Sequence, residues 1–371
     1  MNKFLSIALA SALSCSVVSA KEISIGAVMP MSGPLAAYGQ VTNLGVELAH
    51  KQQPTLKNGD TIKIVLLDNK GDKVETATAT TRLISSDKVV AILGALTSTN
   101  TAQTIAIADK KGIPVIAPVA TNDQLTAKRT FANRVCFTDS FQGEVVANYA
   151  KAQAYKTAVV VVDQSQVYSL GLAKAFETAF KKNGGEIVKT IKITSGDKDF
   201  KAVVSQIKET NPDFMFLPLY HPEASMIARQ SKQLGLEKPM FSGDGVANQT
   251  FIDLGGDAVN GYMFTDFFDY TNPPSQKSAD FVAYHEKETG KAEMNSFTAL
   301  GADTYNILID AMNRCEDPTN SVCINEQIKK TTDFDGVSGK ITINKEGNAT
   351  RSAVIKEVKD GKAVFKATVN P

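Results

Sequence analysis

Residues 62–93, IKIVLLDNKGDKVETATATTRLISSDKVVAIL, carry the architecture of the whole chain. Ile62 to Leu67 is a mostly apolar run of strand length, and Glu75 to Ser86 has the length and mixed character of an amphipathic helix. Val89 to Leu93 is apolar again. Strand, helix and strand on short connections form a unit whose strands lie parallel with the helix across one face. The same rhythm flanks it. Ile23 to Met29 reads as a strand before the helix Tyr38 to Gln52, and the helix Thr101 to Lys111 leads to extended Pro114 to Val119. It restarts near Arg134, with strands at Thr157 to Val162, Ile187 to Ile193, Phe214 to Leu217 and Met240 to Ser242. Helices at Gly171 to Lys182, Phe200 to Glu209 and Pro222 to Leu234 intervene, and Gly235 stands where a C-terminal cap glycine belongs. Two parallel sheets, each covered by helices on both faces, imply two α/β lobes.

Residues 1–20 do not fit that pattern. Lys3 precedes an apolar run from Phe4 to Val18, and Val18-Ser19-Ala20 ends it with small residues. This predicts a secretory signal peptide cleaved before Lys21. The run is shorter than the roughly 20 residues a membrane span needs. Ala12-Leu13-Ser14-Cys15 imitates a lipoprotein box loosely, with Leu13 one place late, so cleavage is preferred to a lipid anchor at Cys15. The 371-residue chain keeps 351 after that cut, a length that suits two lobes. Its 40 basic and 39 acidic residues leave no excess to attract nucleic acid. Among the remaining cysteines, Cys315 and Cys323 flank a turn-rich stretch, and a disulfide is expected there in an exported protein. Cys136, inside Val135-Cys136-Phe137, is expected to be a buried, inert thiol. Three histidines and these spacings predict no metal and no cofactor.

In open α/β sheets, ligands bind beyond the carboxyl ends of the strands. One lobe offers Thr97-Ser98-Thr99 and Val119-Ala120-Thr121 there, and the other offers Tyr220 to Glu223 and Gly243-Asp244-Gly245. Ser98 to Thr121 spans 23 residues and Tyr220 to Asp244 spans 24, one strand–helix step in each lobe. Such positions can face each other across a cleft. A free amino acid would suit them. Its carboxylate wants Ser98 and a helix N-terminus, and its ammonium wants Thr121, a carbonyl near Val119 and the Asp244 carboxylate. Tyr38, Tyr168, Tyr220 and Phe297 could wall an apolar side chain. Each residue also has a plainer reading: Ser98 and Thr121 as helix caps, Asp244 as turn chemistry, the aromatics as packing. His50 and His285 are expected to face water. An enzyme is not expected, because Ser98 lies in no Gly-x-Ser-x-Gly elbow and no Walker loop or dinucleotide fingerprint is present.

These residues also carry a resemblance. Ile25-Gly26-Ala27-Val28 runs into Met31-Ser32-Gly33-Pro34 and Tyr38-Gly39, followed by Gly94 to Ser98 and Pro118-Val119-Ala120-Thr121. Gln142-Gly143, Gly171-Leu172, Tyr220-His221-Pro222-Glu223, Gly243 to Asn248 and Ser296-Phe297 follow in order. Over essentially the whole chain after residue 20, the sequence resembles the periplasmic leucine/isoleucine/valine-binding proteins that serve ABC importers. The resemblance implies a type I periplasmic binding protein fold, two Rossmann-like lobes joined by a three-strand hinge. It divides the chain into 21–139 plus 268–346 and 140–267 plus 347–371, with crossings near 138–140, 266–269 and 346–349. It implies that Ser98, Thr121 and the Val119 backbone hold the α-carboxylate and α-ammonium, with Asp244 as the acidic partner from the other lobe. Tyr38, Leu96, Thr97, Ala120, Tyr168, Tyr220 and Phe297 match its side-chain pocket. The implied partners are a small amino-acid ligand and a membrane permease, and the implied form is a periplasmic monomer. Asp244 stands where those proteins carry Glu, Val119 replaces a smaller residue, and the family's early disulfide is missing, with Thr97 at one of its positions. Ligand identity is therefore the open point: a receptor or sensor for an amide, urea or another amino acid is the alternative. Glu346-Gly347-Asn348-Ala349-Thr350 has the form of a bacterial glycosylation motif, with an unmodified Asn348 the expected state.

Overall fold

A computed structural model describes residues 20–371. The expected signal peptide and Cys15 therefore lie outside the described residues, Ala20 apart. The first sheet is built from β1 (Glu22–Met29), β2 (Thr61–Asp68), β3 (Ile92–Gly94), β4 (Val115–Ala117) and β5 (Ala132–Arg134). Its order is β2-β1-β3-β4-β5, parallel throughout. Helices α1 (Ala36–Gln52), α2 (Lys73–Ser85) and α3 (Ser98–Ala108) connect these strands. Asp72 starts α2 by accepting from the Val74 and Glu75 N–H groups at 2.7 and 2.9 Å, so the helix begins two residues before the expected Glu75. β3 begins later than expected because the Val89 N–H bonds back to the Leu83 carbonyl at the end of α2.

The chain then enters a second lobe. This contains α4 (Asp139–Ala152), β6 (Thr157–Asp163), α5 (Val167–Lys182), β7 (Glu186–Ile193), α6 (Lys201–Thr210) and β8 (Phe214–Phe216). α7 (His221–Gln233), β9 (Met240–Ser242), α8 (Gln249–Gly255) and β10 (Met263–Asp266) complete the run. The chain returns to the first lobe for α9 (Gln276–Thr289), α10 (Ser296–Asn313) and α11 (Ser321–Ile328). A small antiparallel sheet follows, of β11 (Phe334–Gly336), β12 (Gly339–Ile343) and β13 (Ala349–Thr350). Finally β14 (Ala353–Lys359) and β15 (Lys362–Val369) join the second lobe antiparallel, giving the order β15-β14-β10-β9-β8-β6-β7. The second sheet is thus parallel only in its core. Since β13 pairs in the small sheet and β14 in the large one, the third passage falls at Arg351 and Ser352, after the 346–349 stretch.

Two glycines set the helix packing of the first lobe. A Cβ on Gly45 of α1 would sit 1.9 Å from the Thr298 carbonyl oxygen, and one on Gly301 of α10 would sit 2.1 Å from that of Thr42. The two backbones can touch only because both side chains are missing. That contact brings Tyr38, at the start of α1, against Phe297, at the start of α10, with ring centroids 5.4 Å apart. Cys315 and Cys323 form a disulfide with Cα atoms 6.0 Å apart, closing the turn between α10 and α11. Cys136 is buried and its thiol donates to the Ala120 carbonyl. His285 does not face water: it is 3 % exposed, on the inner side of α9. His50 is half-buried, its ring against Tyr305 and its Nε2 at 2.9 Å from the Ile62 carbonyl oxygen. Asn348 is half-buried as well, with its side-chain oxygen accepting from the Thr126 hydroxyl at 2.9 Å.

Buried charge ties the crossing strands together. The Arg351 guanidinium donates to the Phe267 carbonyl at 2.7 Å, the Ser338 carbonyl at 3.0 Å and the Ser338 hydroxyl at 2.8 Å. It also reaches the Val135 carbonyl at 3.5 Å. Beside it, the Lys356 ammonium lies 2.8 Å from Asp266 and 3.2 Å from Asp269, and donates to the Phe268 carbonyl at 2.7 Å. Burial opposes its charge, yet the two carboxylates prevail and hold it above the usual lysine range. Lys356→Met would leave two carboxylates buried without a counter-charge. The expected cost is about 3–5 kcal/mol, read as a lower urea midpoint, and an unchanged midpoint would show that the ion pairs contribute nothing net.

Candidate functional site

The first lobe presents the start of α3. β3 ends at Gly94, whose φ is +135° and whose added Cβ would fall 2.2 Å from the Val28 carbonyl oxygen. Leu96 follows with a left-handed φ of +82°, so the chain turns sharply before Thr97 caps α3 by accepting from the Asn100 N–H. Helix α3 therefore begins at Ser98, three residues before the expected Thr101. Its N-terminal end, where the helix dipole is positive, lies at the cavity with Ser98 in its lining. The Ser98 hydroxyl accepts from the Asn122 N–H at 3.3 Å.

The second lobe answers with Asp244, the first residue after β9 that turns toward the cleft, 4 % exposed. Its Oδ1 accepts from Gln142 Nε2 at 2.8 Å. Burial pushes its carboxyl up to about 7, against the hydrogen bonds of Gln142 and Tyr168 that favour the ionised form. The Tyr168 hydroxyl also accepts from the Gly245 N–H at 3.0 Å, and its ring stacks on Tyr220 at 5.0 Å. Tyr38 crosses from the first lobe to the second. Its hydroxyl donates to the Gly245 carbonyl and accepts from the His221 N–H at 3.3 Å. His221 packs edge-on against Tyr38, and burial pulls its imidazole down to about 4.

Tyr38, Leu96, Thr97, Ser98, Val119, Tyr168, Tyr220, Asp244 and Phe297 thus surround one cavity, with Gly245 beside them. Ala120 and Thr121 do not line it. The Ala120 carbonyl turns away to Arg134, and Thr121 lies beneath the cavity floor, fully buried. The cavity is about 10 Å³, room for little more than one water. The Tyr220 hydroxyl stands at the Ser98 N–H, on the helix end that would receive a carboxylate. A ligand therefore enters only when the lobes part.

Asp139 is the residue that sequence reasoning missed. It is wholly buried at the first turn of α4, and burial raises its carboxyl well above the usual range. Among the described residues, Asp139 Oδ1, Thr121 Oγ1 and Gln142 Oε1 find no hydrogen-bond partner although all are buried. With Asp244, Asp139 and Gln142 give the second lobe a cluster rich in acceptors, opposite the start of α3 and joined from below by Thr121 of the first lobe. Thr138-Asp139 has the form of a helix cap followed by a first-turn acid, and that was its one signal in the sequence. No group of three or more His, Cys, Asp or Glu able to hold a metal occurs among the described residues.

The family model described as periplasmic binding protein matches residues 22–363. The Leu/Ile/Val/Thr-binding protein of Salmonella typhimurium is 30% identical over 334 residues, 89% of either chain. Among solved structures, a leucine binding protein from Thermotoga maritima superimposes with a TM-score of 0.92 at 36% identity, covering 94% of this chain and 99% of that one. A branched-chain amino acid transporter substrate binding protein from Streptococcus pneumoniae, in complex with isoleucine, gives 0.87 at 32% identity over 95% and 100%. The order of strands, the three crossings and the match over nearly the full length agree: the chain belongs to the periplasmic binding protein family.

Proposed function

We propose that this protein is an extracytoplasmic receptor that captures an aliphatic L-amino acid between its lobes and hands it to the membrane permease of an ABC importer. The observation that carries the reading is the placement of opposite chemistries across one cleft. The N-terminus of α3 at Ser98 suits an α-carboxylate, and Asp244 with the acceptors Asp139 and Gln142 behind it suits an α-ammonium. Between them, Tyr38, Tyr168, Tyr220, Phe297, Leu96 and Val119 offer apolar surface and no further charge. Burying a leucine-sized side chain there contributes roughly 2–3 kcal/mol, within about 8 kcal/mol for micromolar affinity. The named relatives are a Leu/Ile/Val/Thr-binding protein, a leucine binding protein and one in complex with isoleucine, which supports the aliphatic assignment. The receptor acts as a monomer, by holding and releasing rather than by bond chemistry, and works in the periplasm once its leader is removed. No helix among the described residues is long and apolar enough to cross a membrane.

In this scheme the ligand first meets α3 on the open first lobe, and the second lobe then closes with Asp244 and Tyr220. Calorimetry on ligand-stripped protein against the twenty amino acids, acetamide and urea tests it. Micromolar or tighter binding confined to aliphatic amino acids is expected. A signal from acetamide or urea alone would keep the fold and overturn the ligand. Asp244→Ala is expected to weaken binding at least tenfold, about 1.4 kcal/mol, and an unchanged affinity would remove Asp244 from the site.

The sign of the pH dependence follows from Asp244. An ammonium pairs with its carboxylate, so binding favours the ionised form of a group held near 7 by burial. Affinity should fall as pH drops from 7.5 toward 5.5, with proton release on binding. His221 acts in the same direction, since closure requires its neutral form. Asp244→Asn isolates the first contribution: its pH slope should be shallower than that of the wild type, and equal slopes would refute the assignment.

A further inference from the structure

Thr99 is the second residue of α3, yet it does not cap its own helix, because Thr97 does. Its hydroxyl instead crosses the mouth of the cleft. It donates to Gln166 Oε1 at 2.9 Å and accepts from the Val167 N–H at 3.2 Å. Gln166 is the N-cap residue of α5, and its side chain makes no cap bond there. A first-turn donor of α5 therefore finds its acceptor in the opposite lobe. Gln166 Nε2 continues the chain of bonds to the Ser195 hydroxyl at 3.0 Å. Asn122, also of the first lobe, donates from Nδ2 to the Val167 carbonyl at 3.0 Å.

We propose that Thr99 is an interlobe helix cap, a positioning residue that completes α5 on closure and so fixes Tyr168 in the ligand site. Tyr168 is the next residue after Val167, and its hydroxyl accepts from the Gly245 N–H at 3.0 Å, next to Asp244 in the cavity wall. The inference rests on the receptor reading and deepens it. When the lobes part, Val167 N–H and Gln166 exchange Thr99 for water, so the cap stabilises the closed form alone. It should govern how long a ligand stays, and not how fast it arrives or which ligand is chosen.

Stopped-flow kinetics with leucine on the full mature protein, as wild type, Thr99→Ala and Thr99→Ser, test this. Thr99→Ala should raise the dissociation rate roughly five- to tenfold and leave the association rate within about twofold. Thr99→Ser, which keeps the hydroxyl, should behave as wild type, and the rank order of aliphatic amino acids should be the same in all three. An unchanged dissociation rate in Thr99→Ala overturns the proposal, and so does a change confined to association. Amide exchange at Val167 in ligand-saturated protein, where the lobes are closed, provides a second readout that does not depend on the binding kinetics. Faster exchange in Thr99→Ala supports the cap, and equal exchange sinks it. If wild-type protein binds no amino acid, the amino-acid reading fails, and Val167 exchange in the complex with acetamide or urea, whichever binds, decides the cap.

Discussion

One buried guanidinium holds the passages between the lobes in register. Arg351 sits on the third passage, and its donors reach Phe267 on the second, Val135 beside the first, and Ser338 of the small sheet. Each of those carbonyls belongs to irregular backbone that no ladder satisfies. Burial weakens the hold of Arg351 on its proton, with Asp303 the foremost charge opposing that effect. Three strands that would otherwise slide past one another become a single articulated joint. Around it lie the two large sheets, linked by the short crossing segments.

What this joint brings together is a site that neither lobe contains. The first lobe supplies donors at α3 and the wall of Phe297 and Tyr38. The second supplies Asp244, Gln142 and the stacked pair Tyr168 and Tyr220. Tyr38 spans the gap, bonded to Gly245 and to the His221 N–H. Buried acidic groups are expensive when isolated, and here two of them, Asp139 and Asp244, have carboxyls raised by burial. A nearby positive charge relieves that expense.

Much of this was legible in the sequence. The strands at Ile23, Ile62, Thr157 and Ile187 and the helices that follow them were visible, because parallel strands buried on both faces read as apolar runs. The residues after β3, β4, β8 and β9 converge on the cavity because α/β topology puts strand ends there. Other features had no local signature. The antiparallel strands β14 and β15 carry alternating or mixed faces and joined no βα rhythm. The burial of His285 depends on packing that periodicity does not show. Asp139 lies in an ordinary helix start, and only the close passage of Thr121 and Gln142 makes it part of the site. Ala120 and Thr121, matched by resemblance, lie beyond the cavity wall because the strand end turns them toward Arg134 and Asp139.

The interleaving of the lobes governs how the chain can be made. The second lobe's sheet waits for β14 and β15, at positions 353–369, and the first lobe waits for α9 to β13. The bond from Tyr38 to Gly245 joins residues 207 positions apart. Contacts of such range form late and slowly. Neither core can be completed before these C-terminal segments have been made.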